Sequence, residues 1–246
     1  MGLATLYLSL IVLIPLAAVA AKAFSGGLGL VWDSVAHGVA LASLEVTVVA
    51  ALVVAAAGAA MGTLVAWVLV RDEFPGKRLL NALIDLPFAL PTIVAGLTLL
   101  VLYGPGSPLG VNIVFTRAIV VVALLFVTLP FVVRSVQPVL LELDRETEEA
   151  AASLGASNAT ILRRVVLPTL RPAILSGASL AFARSVGEIG SLVLIAGKVP
   201  IASIVIYADV ENDATQSAAA LSIVLLAISL VIIFALRRYG RTQLVH

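Results

Sequence analysis

Two charged residues, Arg184 and Glu188, interrupt the apolar run 179–191 at a spacing of four. On a helix that spacing puts both on one face, where they can pair, and pairing lowers the cost of holding either at membrane depth. Such a pair is a functional candidate by default; it can equally be a structural ion pair that holds helices together. Gly187 and Gly190 beside it either pack a neighbouring helix or loosen the backbone next to a moving gate. A second irregularity lies at Pro87 and Pro91, again four residues apart. Prolines there free backbone carbonyls, and such breaks survive in lipid only against protein or a wet cavity. The segment that carries them is therefore expected to face the interior of a bundle.

Other chemistries are closed by what the chain lacks. It has no cysteine, which removes disulfide, redox and thiolate-metal readings, and its two histidines, His37 and His246, are too far apart in sequence to suggest a metal site. There is no G-x-x-x-x-G-K-[ST] phosphate loop, so the chain is not an ATP-binding subunit, and no H-E-x-x-H or pair of membrane-embedded aspartates that would suggest an intramembrane protease. A net charge of +1 gives no reason to expect nucleic acid. No catalytic residue is assigned.

The one soluble-looking stretch runs from Arg145 to Pro172. Asp144 can cap a helix whose first turns carry Glu146, Glu148 and Glu149, acids favoured at the positive end of the helix dipole. Small residues 150–153 follow, Leu154 closes the apolar side, and Gly155 supplies the left-handed position that ends the helix. A second helix starts behind Ser157, stacks Ile161 on Val165 and Leu162 on Val166, places Arg163 and Arg164 near its end, and stops around Pro168. The expected object is a helix, a glycine bend and a second helix lying at a membrane surface.

Composition sets the environment for these elements: 61% of the 246 residues are hydrophobic and 12% charged, far from soluble usage. Six spans of bilayer length are expected, at about Leu3–Ala23, Leu44–Val70, Leu83–Tyr103, Ala118–Val136, Pro172–Ala196 and Ser217–Leu236. Pro172 would open the fifth at its first helical position. Segments 24–42 and 198–216 are read as loops on one side, the first with Trp32 as an interfacial anchor and the second with Asp209, Glu211 and Asp213. Gly58 and Gly62 form a small-x-x-x-small face for close helix packing. Arg71, Lys77 and Arg78, then Arg145, Arg163, Arg164 and Arg171, then Arg237, Arg238 and Arg241 fall on one side, against Lys22, Arg117 and Lys198 on the other. The positive-inside rule then puts both termini and the 145–172 loop in the cytoplasm.

Glu149-Ala150-Ala151, Gly155, Val165 and Leu167-Pro168 resemble the "EAA" loop of bacterial ABC importer permeases, with Val165 at the usual isoleucine. The stretches 74–76, 85–92, 130–140 and 187–190 resemble more specifically the T-type permease subunit of sulfate/thiosulfate ABC importers, from Leu6 to Arg238. Ile189 stands where family members often have an aromatic residue, and Lys198 where they often have asparagine. The resemblance implies an all-α polytopic membrane protein of the type I importer permease fold, one permease domain over residues 1–246 in the plasma or inner membrane, with a cytoplasmic coupling loop at 145–172. In such a protein Glu149, Ala150, Ala151, Leu154, Gly155, Leu167 and Pro168 would meet the ATPase. Pro87, Pro91, Thr92, Arg184, Ser185, Gly187, Glu188 and Gly190 would line the pathway or gate, with backbone N–H groups near the prolines, the Thr92 and Ser185 hydroxyls and Arg184 as transient partners of a tetrahedral dianion.

Implied partners are a homologous W-type permease subunit, two copies of a cytoplasmic ATPase, an extracytoplasmic sulfate-binding protein in which selectivity mainly lies, and the lipid bilayer. ATP and Mg are used by the ATPase, and this chain holds no cofactor. Two rivals remain open. A molybdate or tungstate permease would look alike; a secondary anion transporter would use Glu188 as a proton relay, but leaves the "EAA" pattern without a role.

Overall fold

The computed structural model describes Gly2, Leu6, Tyr7 and residues 9–241, with backbone only for 239–241. The expected start of the first span at Leu3, the Arg241 side chain and His246 lie outside the described residues. Helix is the only regular structure among the described residues, as lipid requires of a chain that must satisfy its own backbone. Among the described residues four helices are long and apolar enough to cross a membrane, or up to six segments if each of two sharply bent helix pairs is one span.

Contacts group the chain into two compact units, residues 1–49 with 198–231, and residues 50–197 with 232–246. The first unit holds α1 (Ile14–Phe24), which continues a π-helical turn at Ser9–Leu13, and α2 (Gly27–Val35), bent from α1 by 92°. It also holds the start of α3 (Gly38–Arg71). The segment expected to be a loop at 24–42 is thus mostly helical: Gly27 and Gly38, both at positive φ, set off α2 and α3 and leave a helix between them. The Ala202 N–H donates to Thr47 Oγ1 at 2.9 Å, joining α3 to the later part of the unit. That part is helical as well, where a polar loop was expected at 198–216. Only two of the three acids, Asp209 and Glu211, fall within residues 202–211, too few to prevent a helix whose other positions include Ile204, Val205 and Ile206.

The second unit contains α4 (Lys77–Ala89), α5 (Thr92–Tyr103), α6 (Arg117–Glu142), α7 (Arg145–Ser153), α8 (Asn158–Ile161), a π-helical turn Leu162–Val166, α9 (Leu167–Val186) and α10 (Leu192–Ile195). Helix α11 (Ala202–Glu211) and most of α12 (Thr215–Arg241) belong to the first. In the second unit α6 lies against both α3 and α9. Close approach is set by glycine: a Cβ on Gly62 would lie 2.7 Å from Val132 Cβ, and one on Gly177 2.8 Å from Val132 Cα. The packing read for Gly62 is observed. Around these contacts Val132, Val133, Val136, Leu140, Val166 and Leu170 form a buried core.

Two helix boundaries differ from expectation. The second helix of the amphipathic stretch does not stop at Pro168; helix runs without a gap from Asn158 to Val186. Pro168 follows directly on the π turn within this continuous helix, and Pro172 lies inside the helix rather than opening it. Arg163 and Arg164 are consequently mid-helix. The π turn explains the inward face: Leu167 N–H bonds Leu162 C=O, five residues back, so Ile161 and Val166 come to one side with Leu170, in place of the expected i, i+4 stacks.

Candidate functional site

Helix α7 is built as its sequence dictates. Asp144 caps it by accepting from the Glu146 N–H at 2.9 Å. At its other end Gly155 has φ +86°, its N–H bonds Ala152 C=O at 2.9 Å, and the Ala156 N–H bonds Ala151 C=O at 3.1 Å. This double closure ends a helix with a left-handed residue. Glu149, Ala150 and Gly155 are exposed, as are Leu167 and Pro168 across the bend, whereas Ala151 is half-buried. Leu154 does not close an apolar side: it is 90% exposed and projects from the bend.

One anchor of α7 was not read from the sequence. Arg71, at the end of α3, pairs with Glu148, and its guanidinium stands 5.6 Å from the centre of the Trp67 ring. Of the acids in α7, Glu148 is thus committed inward and Glu149 is left on the surface. A cavity of about 650 Å³ opens alongside, bounded by Trp67, Glu149, Ala152, Leu162 and Leu167.

Some of the expected pathway residues meet at a second place, Thr92 against Gly190 and Arg184 against Glu188. Chain direction changes by 115° between α4 and α5. The turn is at Leu90-Pro91, whose backbone is extended, while Pro87 stays inside α4. No residue of α4 is buried, contrary to the expectation of an interior helix; α5 buries Ala95, Gly96 and Leu99. Against α5 lies the irregular segment that follows α9. A Cβ on Gly96 would lie 2.5 Å from Ser191 O and 2.9 Å from Ser191 Cα, and one on Gly190 would collide with Thr92 Oγ1. Thr92 and Gly190 are therefore in direct contact. Around Gly187 the same test finds open space, so the two glycines differ: Gly190 is required by packing, Gly187 is not.

Arg184 and Glu188 do pair, Nη2 to Oε2 at 2.6 Å, but not as two positions of one helix. Helix α9 ends at Val186, and Glu188 sits in the turn beyond it. There its Oε1 accepts from Ser191 N at 2.8 Å and Ser191 Oγ at 3.0 Å. Its side chain is 1% exposed against 34% for Arg184. The carboxylate thus holds the turn closed from inside while the guanidinium reaches a more open surface. The Ser185 hydroxyl is buried with no hydrogen-bond partner among the described residues. Gly96→Ala is expected to destabilise the protein by about 2 kcal/mol, because backbone rather than a flexible side chain opposes the new methyl. Gly187→Ala should leave thermal unfolding of the purified protein nearly unchanged.

A bundle of this kind, with a short exposed helix between long apolar ones, has the fold of an ABC importer permease. The bacterial ABC transporter that imports the acidic polysaccharide alginate superposes with a TM-score of 0.79 at 15% identity, over 98% of this chain and 93% of that one. The MetNI methionine transporter in an inward-facing conformation gives 0.64 at 22% identity, over 81% and 93%. Residues 58–241 match the family of binding-protein-dependent transport system inner membrane components. The sulfate transport system permease protein CysT of Synechocystis is 45% identical, covering 96% of this chain and 87% of the relative. That of Salmonella typhimurium is 40% identical, over 100% and 94%. The chain belongs to the CysT family of sulfate transport system permeases, multi-pass membrane proteins of the binding-protein-dependent class.

Proposed function

We propose that this chain forms half of the translocation pathway of an ATP-driven sulfate or thiosulfate importer and couples that pathway to a separate ATPase. Support for the substrate is the likeness to sulfate permeases along nearly the whole chain. Support for coupling is the exposed face of α7, Glu149, Ala150 and Leu154, on a helix joined by one glycine bend to the unbroken helix 158–186 that ends at the Glu188 turn. A push on α7 would travel along that helix as a rigid body and reach the turn that touches Thr92.

The remaining assignments follow from this reading. The positive-inside pattern puts α7 and both termini on the cytoplasmic side, where two ATPase copies would consume ATP and Mg. A homologous W-type subunit would complete the pathway, and an extracytoplasmic binding protein would deliver the anion. This chain itself contributes contacts and motion rather than catalysis, with Arg184 and the Thr92 and Ser185 hydroxyls as transient donors to the dianion.

The test is uptake of labelled sulfate by proteoliposomes that hold the complete complex, with ATP inside and molybdate as competitor. Uptake that requires ATP and resists molybdate is expected. Uptake that follows a proton gradient without ATP would reject the importer reading in favour of a secondary transporter, and strong competition by molybdate would reassign the substrate to the larger oxyanions.

A further inference from the structure

The contact between α4 and α6 has a regularity that the gate and the coupling helix leave unused. Asn81, Asp85 and Phe88 recur at helical spacing along one face of α4, and Gln137, Arg134 and Phe131 recur in the opposite direction along α6. They meet rung by rung. Gln137 Nε2 lies 3.4 Å from Asn81 Oδ1. Arg134 donates Nε to Asp85 Oδ1 at 2.7 Å and Nη2 to Asp85 Oδ2 at 2.5 Å, a two-pronged clasp. The same guanidinium reaches Asn81 Oδ1 and Asn81 O, both at 2.9 Å, and also Gln137. Phe88 closes the ladder edge-on to Phe131, with ring centres 5.0 Å apart.

Guanidinium geometry makes this clasp directional: five donors in one plane fix orientation as well as distance, which an ammonium cannot do. Position in the chain gives the clasp its consequence. Helix α6 ends at Glu142, and Asp144 begins α7; α4 ends at Ala89, and the 115° break follows at once. We propose that the Arg134 ladder makes α4 and α6 move as one body, so that Arg134 is a positioning residue that carries displacement of α7 to the proline break and so to Thr92. With the unbroken helix 158–186, two routes then leave α7 and meet where Thr92 touches Gly190. This inference rests on the reading of α7 as the ATPase contact.

The experiment uses the complete complex in proteoliposomes, and measures ATP hydrolysed per sulfate moved. Arg134→Lys keeps the charge and loses the fork; Asp85→Asn keeps the shape and loses the charge. A staple that only stabilises would lower thermal stability and leave that ratio alone. The ladder predicts that Arg134→Lys raises the ratio about tenfold, within the range of coupling between sites, with hydrolysis retained, and that Asp85→Asn shifts it in the same direction. Because the chain has no cysteine, spin labels at Leu83 and Leu141 report the α4 to α6 distance directly. That distance should be the same in nucleotide-free and ATP-trapped wild type, and should spread in Arg134→Lys. An unchanged ratio in both variants, or a wild-type distance that differs between the two states, overturns the ladder. Wild-type uptake that ignores ATP overturns instead the importer reading beneath it.

Discussion

Glu149→Arg should abolish ATP-driven sulfate uptake, by at least about tenfold, while the chain still folds. The expected selectivity of this effect comes from where the side chain lies. Glu149 is exposed on α7, whereas its neighbour Glu148 is held inward by Arg71. Reversing an exposed charge in a short helix costs the fold about 1 kcal/mol or less through the helix dipole. At a docked interface the same reversal sets like charge against whatever cation received Glu149, a penalty of several kcal/mol. Uptake and thermal stability measured on one preparation separate the two. Loss of uptake with an intact complex supports transmission through α7; failure of the complex to assemble makes α7 a docking site first. Uptake equal to wild type, in a complex that assembles, removes Glu149 from the coupling surface.

What could be read from sequence, and what could not, divides along local and non-local lines. The cap at Asp144, the helix start behind Ser157 and the left-handed Gly155 are decided within four residues, and they stand as read. Gly62 also behaves as its spacing suggested, since the need for a small residue does not depend on the identity of the helix that approaches. The misread boundaries have a different origin. Pro168 and Pro172 are both compatible with a helix start, and only the π turn at Leu162–Val166, which aligns Ile161, Val166 and Leu170, shows that the helix passes through both. Leu154, expected to close the apolar side of the helix, is instead turned out at the bend before Gly155.

Pairs distant in sequence were the larger omission. Arg71 with Glu148 spans 77 residues and Arg134 with Asp85 spans 49. Asp85 and Arg134 both lie in stretches that marked the family resemblance, but residue type alone gave no reason to join them. A signal was present in the matched periodicities of 81, 85, 88 and 131, 134, 137, each polar or aromatic on a face where lipid would favour aliphatic side chains. Reading those two faces together would have found the ladder.

The alternative left open for Arg184 and Glu188, pathway group or structural pair, can be settled by combining stability with transport. Glu188 is buried, accepts hydrogen bonds from Ser191 on one oxygen and is ion-paired with Arg184 through the other. Removing Arg184 alone takes the counter-cation from a buried carboxylate, and Arg184→Met should therefore cost about 3 kcal/mol. Glu188→Gln is expected to cost less, about 1–2 kcal/mol, because Gln can still accept from Ser191 and the stranded guanidinium is partly exposed. In the double variant neither charge remains, so its loss of stability should be smaller than the sum of the two singles, a coupling that thermal unfolding of the purified complex measures. Transport in that double variant then decides the role. The exposed fraction of Arg184 predicts that uptake stays lost although the double variant is less destabilised than the two singles together, since the anion has lost its cationic donor. Recovery of uptake in the double variant would make the pair a staple, and would move the anion's path away from the end of α9.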